Sequence, residues 1–146
     1  MTKEQIEELK DIPILCVEDE KGIRKVIVET LKYYFDNVYE AKNGEEAYDM
    51  YLEYKPKIIL SDIQMEKVNG ISLVKRIRKN DNKTAIIMIT AYSNEEYLLD
   101  LINLNICHFI LKPLNLKKLN EALLKYLSTT LKSITLHNDL ILNLEK

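Results

Sequence analysis

Five short apolar runs, each followed by a stretch of helical periodicity, constrain this chain more tightly than any other feature of its sequence. The runs are "IPILCV" (12–17), "NVYEA" (37–41), "KIILS" (57–61), "TAIIMIT" (84–90) and "ICHFIL" (106–111). Such alternation is the signature of βαβ units. Residues 14–17, 58–60 and 86–89 are continuously apolar, as central parallel strands covered on both faces must be, whereas "NVYEA" is more polar and reads as an edge. Between the first two runs, "EKGIRKVIVETLKYYF" sets Ile23, Val26, Ile27, Thr30, Leu31 and Tyr34 at three- and four-residue spacing, one face of an amphipathic helix. Similar stripes run through 44–54, 70–79, 94–104 and 115–127. Short right-handed crossovers leave few topologies for five such units. The pattern predicts an α/β fold, a doubly wound open sheet of five parallel strands in the order 2-1-3-4-5, with a C-terminal helical extension. It divides the chain into a short N-terminal helix (1–10), a sheet domain (11–127) and a helical tail or linker (128–146).

At 146 residues the chain suits one domain, which buries roughly 70% of the surface its unfolded form exposes. Hydrophobic residues make up 47%, charged residues 30%, and the net charge is -2. That balance fits neither a disordered acidic segment nor a basic nucleic-acid-binding chain, so direct nucleic-acid contact is not expected. Cys16 and Cys107 fall in the first and fifth strands, which the expected order separates by two others, too far for a disulfide. Both read as reduced core thiols of a cytoplasmic protein. The opening "MTKEQIEELK" is charged, and no run approaches the roughly 18 apolar residues of a membrane span. Neither secretion nor membrane insertion is expected.

Ligands of a doubly wound sheet collect where the strands' carboxyl ends meet a topological switch point. Here the residues at or just past the central strand ends are Glu18 and Asp19, Asp62, Thr90 and Lys112. Asp62, in "IILSDIQMEKVNG", sits where a buried strand ends, a costly place for a carboxylate unless a cation, a donor or chemistry meets it. Three close carboxylates repel by about 4 kcal/mol per pair at an effective dielectric near 20, so they stay ionised together only around a cation. A hard divalent ion is implied, and Mg²⁺ suits this sparse set, because it keeps several waters and leaves room for phosphate oxygens. Zinc would require clustered Cys or His. Lys112 adds an ammonium and Thr90 a hydroxyl, both suited to phosphoryl oxygens. An Asp can itself be the nucleophile and form an aspartyl phosphate. Phosphoryl transfer asks little of a protein beyond in-line positioning and charge neutralisation.

The segments "ILCVEDE", "IILSDIQMEKVNG", "IIMITAYS" and "HFILKPL", in this order and spacing, resemble the receiver domain of two-component response regulators, of the chemotaxis-regulator type. The resemblance covers about residues 11–127 and implies a flavodoxin-like fold. It implies that Asp62 is the phosphoacceptor and that Glu18, Asp19, Asp62 and the main-chain carbonyl of Gln64 hold Mg²⁺. By the same resemblance Thr90 and Lys112 bind the phosphoryl oxygens, Thr90 and Phe109 form the switch pair, and Lys112-Pro113 is a cis peptide. It further implies a sensor histidine kinase or phosphotransfer protein as donor in a phosphorelay, and a downstream protein or a missing output domain as receiver of the signal. Three positions are expected to modulate the chemistry. Glu66 stands where the family commonly has Pro, and Gln64 and Tyr92 lie two residues past Asp62 and Thr90, where side chains govern access of the hydrolytic water. Phe109 stands where Tyr is frequent.

Taken singly, several residues have plainer readings. Asp19 reads as the N-cap of a helix beginning near Glu20, Thr90 as a strand-end residue and Lys112 as solvated surface. Gly70 reads as the opening of a helix or a point of tight approach, Phe109 as core, and His108 as a surface imidazole. His137, in "LHND", lacks the surrounding pattern of a kinase histidine and reads as solvated. Beyond residue 127, Leu124, Leu127, Leu131, Ile134, Asn138 and Ile141 follow heptad spacing. That predicts either a dimerising helix or one folded back on its own domain. A homodimer through the helices at 94–104 and 115–127 is a further possibility. Ile6 and Leu9 predict a short N-terminal helix on the sheet's edge. Three functions compete: a phosphorylation-controlled switch that is not an enzyme on external substrates, a metal-dependent phosphatase, and a phosphorylation-independent interaction module. Phosphatases of the haloacid dehalogenase type carry a second Asp two residues after the nucleophile, where this chain has Gln64.

Overall fold

The computed structural model describes residues 1–65, 69–91 and 95–144. In chain order they form α1 (Lys3–Lys10), β1 (Ile14–Val17), α2 (Lys21–Leu31), β2 (Val38–Ala41), α3 (Gly44–Tyr54), β3 (Ile58–Asp62), α4 (Gly70–Arg78), β4 (Ala85–Thr90), α5 (Glu95–Ile102), β5 (His108–Leu111) and α6 (Leu116–Leu144). All strand pairs are parallel, and the order is β2-β1-β3-β4-β5. This is the doubly wound sheet that the apolar runs predict, with "NVYEA" at an edge. β1 begins at Ile14 rather than Ile12, since Pro13 has no N–H for the ladder.

The sheet separates two apolar layers. On one side Ile14, Cys16, Leu60 and Ile89 pack with Ile27, Val28 and Leu31 of α2 and with Leu119, Ala122, Leu123 and Leu127 of α6. On the other, Leu15, Ile59, Ile86 and Met88 meet Ala47 of α3, Leu73, Val74 and Ile77 of α4, and Leu101 of α5. Successive strand residues point to opposite layers, which is why the central strands must be apolar throughout. The Tyr34 hydroxyl bonds Asn120 across the first layer, tying the end of α2 to α6.

The expected face of α2 is corrected in phase. Val26 is 61% exposed, and Val28 is buried in its place beside Ile27 and Leu31. The buried arc centres on Ile27, Leu31 and the turn residues Tyr34 and Phe35, which places Val28 on its flank. α1 forms as expected, with a capping box in which Thr2 and Gln5 exchange hydrogen bonds. Its Leu9 is fully buried in the layer shared with α2 and α6. Cys16 and Cys107 are free thiols.

α6 runs unbroken from Leu116 to Leu144, and Leu140, Ile141, Leu142 and Leu144 are all exposed, Leu144 by 85%. No helix among the described residues is long and apolar enough to cross a membrane.

Candidate functional site

Four strand ends build one rim. β1 delivers Glu18 and Asp19, β3 ends on Asp62, β4 ends on Thr90, and Lys112 follows β5. The register pairs Asp62 with Ile89, next to Thr90, and Thr90 with Leu111, next to Lys112. The Lys112 N–H donates to the Thr90 carbonyl at 2.8 Å, which carries the ladder to the site itself.

Glu18, Asp19 and Asp62 each offer a carboxylate oxygen, and these oxygens lie within 4.8 Å of one another. Lys112 Nζ donates to Asp62 Oδ2 at 2.7 Å and lies 3.6 Å from Glu18 Oε1. The Gln64 N–H donates to Asp62 Oδ1 at 3.2 Å, and Gln64 itself is exposed. Thr90 is buried beside this group. Asp19 is not the helix cap: α2 starts at Lys21 behind Glu20, which makes no side-chain cap bond.

Glu18 is the informative member. It is 1% exposed, and neither carboxylate oxygen receives a hydrogen bond. Burial, with Asp62 beside it, pushes its carboxyl up to about 8. For Lys112, burial works against the ammonium, but the bond to Asp62 and the charge of Glu18 outweigh it and hold the group above its usual range. Two further acids crowd this carboxylate, and one lysine cannot neutralise all three. A divalent cation with oxygen ligands fits the set, and Cys or His ligands are absent from it.

The peptide before Pro113 is cis, as the resemblance implies. Phe109 is 36% exposed on β5, so it is not plain core. Glu66 and Tyr92 lie outside the described residues, and so does the side chain of His137. Gly70 serves both roles its sequence allows. It is the first residue of α4, capped by the Asn69 side chain on the Ile71 N–H, and a Cβ there would stand 2.2 Å from the Asp62 carbonyl oxygen. Only glycine lets α4 approach the backbone of the central acid this closely.

Sequence reasoning missed Arg78 and Asp81, at the opposite ends of the strands. The buried Arg78 guanidinium donates to four carbonyls: Leu104 and Thr84 at 2.8 and 2.7 Å, Asp81 at 2.9 Å and Asn105 at 3.0 Å. Asp81 accepts from the Tyr51 hydroxyl, the Thr84 hydroxyl, and the N–H groups of Lys83 and Thr84. In "VKRIRKNDNK" both look like surface charge. Some partners are near in sequence, Lys83 and Thr84 within six residues, but Leu104 and Asn105 lie 26 and 27 residues from Arg78, and Tyr51 of α3 lies 30 residues from Asp81, and the sequence marks none of these.

A parallel 2-1-3-4-5 sheet with clustered acids and a lysine at its switch point defines a doubly wound α/β protein with an acidic pocket at the carboxyl ends of its strands. The chain belongs to the response regulator receiver domain family, whose model matches residues 14–124. It is similar to the chemotaxis protein CheY of Bacillus subtilis, with 34% identity over 79% of this chain and 97% of that protein. It is also similar to the sporulation initiation phosphotransferase F of the same organism, with 28% identity over 78% of this chain and 92% of the relative. Among solved structures, the chemotaxis protein CheY4 of Vibrio cholerae superposes with a TM-score of 0.73 at 26% identity, covering 78% of this chain and 97% of the other. The chain is thus a two-component receiver domain, a module of phosphorylation-based signalling.

Proposed function

We propose that this chain is a phosphorylation-controlled switch in which Asp62 accepts a phosphoryl group from a sensor histidine kinase or a phosphotransfer protein. The observation that supports this best is the buried Glu18 carboxylate, which accepts no hydrogen bond and, among the described residues, meets a cation only at Lys112 Nζ, 3.6 Å away and already bonded to Asp62. One lysine shared between two acids leaves the Glu18 oxygens without hydrogen bonds, which suits a site that a divalent cation completes. Glu18, Asp19 and Asp62, with the Gln64 carbonyl, are the residues to hold Mg²⁺, whose contribution when bound is to neutralise the clustered acids and the charge on the transferring oxygens.

The Gln64 N–H and Lys112 hold Asp62 by opposite oxygens, so the carboxylate is oriented before the donor arrives. An Asp62 oxygen forms the new bond to phosphorus as the bond from phosphorus to the donor's imidazole nitrogen breaks, and the imidazole leaves with the electron pair. Lys112 exchanges its bond to Asp62 for one to a phosphoryl oxygen, and the Thr90 hydroxyl donates to another. The chain acts on no external substrate. Thr90 and Phe109 carry the change to the face of α5 and β5, which a downstream protein or an output domain reads, in the cytoplasm.

The test is intact mass after incubation with Mg²⁺ and acetyl phosphate. A single added phosphoryl group is expected, dependent on metal and lost in Asp62→Asn. No adduct, together with no response to a beryllofluoride mimic, would leave a phosphorylation-independent interaction module as the function.

A further inference from the structure

Two of the three acids of the rim, Glu18 and Asp19, stand on the short loop of residues 18–20 between β1 and α2. The helix that follows does not hold this loop by a cap, since Glu20 makes no side-chain cap bond. On one side the loop is tied to the sheet. The Glu18 N–H donates to the Ala41 carbonyl at 3.1 Å, which extends the β1–β2 ladder by one residue.

A second tie comes from Arg24, the fourth residue of α2. Its backbone N–H donates to the Glu20 carbonyl at 2.8 Å, and its Nη1 reaches back over the first turn to donate to the Glu18 carbonyl at 2.9 Å. One residue therefore holds the carbonyls on both sides of Asp19. The guanidinium is in turn held from the sheet, because its Nε donates to Glu40 Oε1 at 3.3 Å. Glu40 lies on β2, in register with Cys16, two residues before Glu18. The Arg24 side chain is only 14% exposed, whereas that of Glu40 is 54% exposed.

We propose that Arg24 is a positioning residue of the phosphoacceptor site: it fixes the loop so that Glu18 and Asp19 face the cation position, and Glu40 sets Arg24. This rests on the reading of the rim as a Mg²⁺ site. Mg²⁺ demands near-ideal geometry, so carboxylates whose backbone can turn hold it less well, and the outer partners of metal ligands tune affinity for that reason. As a staple between α2 and the sheet edge, a pair with so exposed an acid would add little. The geometry also calls for arginine in particular. Two donors of one planar fork address Glu40 and the Glu18 carbonyl at once, which the single ammonium of a lysine does not reproduce.

Titration calorimetry of Mg²⁺ into the full chain, without phosphodonor, tests this. Arg24→Met, which keeps much of the apolar stem, and Arg24→Lys should each raise the Kd for Mg²⁺ about tenfold, the lower end of what outer partners of metal ligands contribute. Glu40→Ala should raise it about threefold, in keeping with an exposed pair, and should have no further effect in the Arg24→Met background, since it acts through the guanidinium. With acetyl phosphate, the Mg²⁺ concentration giving half the maximal phosphorylation rate should rise by the same factors, and the maximal rate should fall less. A mere staple would instead lower the unfolding temperature in EDTA and leave the Kd alone. A Kd for Arg24→Met within twofold of the unmodified chain's, full rescue by Arg24→Lys, or a Glu40→Ala effect that persists without Arg24 would each overturn the proposal. Should Arg24→Met fail to fold by far-UV circular dichroism, an unchanged Kd in Glu40→Ala would overturn it. Absence of Mg²⁺ binding in the unmodified chain would overturn both this and the Mg²⁺ reading of the rim, whereas binding indifferent to Arg24 would count against the positioning role alone.

Discussion

A carboxylate as buried as Glu18, with no donor on either oxygen, holds the metal-free protein below the stability its core would otherwise give. Glu18→Gln is therefore expected to raise the unfolding temperature in EDTA. In the unmodified chain, Mg²⁺ at a hundredfold excess over Kd should add about 2.7 kcal/mol, roughly 5–10 °C for a domain of this size. The variant should show little of that gain, and differential scanning calorimetry measures both effects. Asp81 gives the opposite kind of prediction. Partial burial works against its charge, but the Thr84 and Tyr51 hydroxyls and two backbone N–H groups hold the carboxyl well below the usual range. Its contribution to stability is present above about pH 4 and is lost as pH falls below that. Urea unfolding at pH 3 and pH 6 should show a smaller acid loss in Asp81→Asn than in the unmodified chain. At this scale the sequence was legible where a polar residue interrupts an apolar strand, as at Glu18, Asp62 and Thr90, since position along a strand fixes position on the rim. It was not legible at Arg78 and Asp81, whose burial depends on loops assembled by the fold.

Among the elements, α4 is held at both ends by devices that act over short distances. At its first residue, the Gly70 approach to the Asp62 carbonyl leaves no room for a Cβ. Gly70→Ala should destabilise the domain by about 1–3 kcal/mol, as overpacking does, and should slow phosphorylation by acetyl phosphate, because the backbone of the central acid must yield. At its last residue, Arg78 joins α4 to the loops before β4 and β5. Arg78→Met would orphan four carbonyls and should cost about 3 kcal/mol or more in urea unfolding. The helices themselves were readable as elements, but the phase of α2 was not. Val26 and Val28 are chemically identical, and only the direction in which α2 meets β1 decides which of them is buried.

For the molecule as a whole, the acidic rim and the tail lie at opposite ends of the sheet, and among the described side chains the apolar layers reach as far along α6 as Leu127. Removing residues 131–146 should leave the unfolding temperature of the domain within a few degrees and its Mg²⁺-dependent phosphorylation intact, as calorimetry and intact mass would show. Doubly wound topology was legible from the order of the runs. The course of the tail was not, since heptad spacing suits a dimerising helix and a folded-back one equally. α6 starts four residues after Lys112 and reaches Leu144 without interruption, a rod of about 43 Å at 1.5 Å per residue. Such a rod behaves as a lever whose fulcrum is the first layer of the core: a tilt of about 5° at Leu116 sweeps Leu144 through about 4 Å by the same length, a displacement large enough to be felt at the far end of the molecule when the rearrangement beside Lys112 is too slight to register there directly.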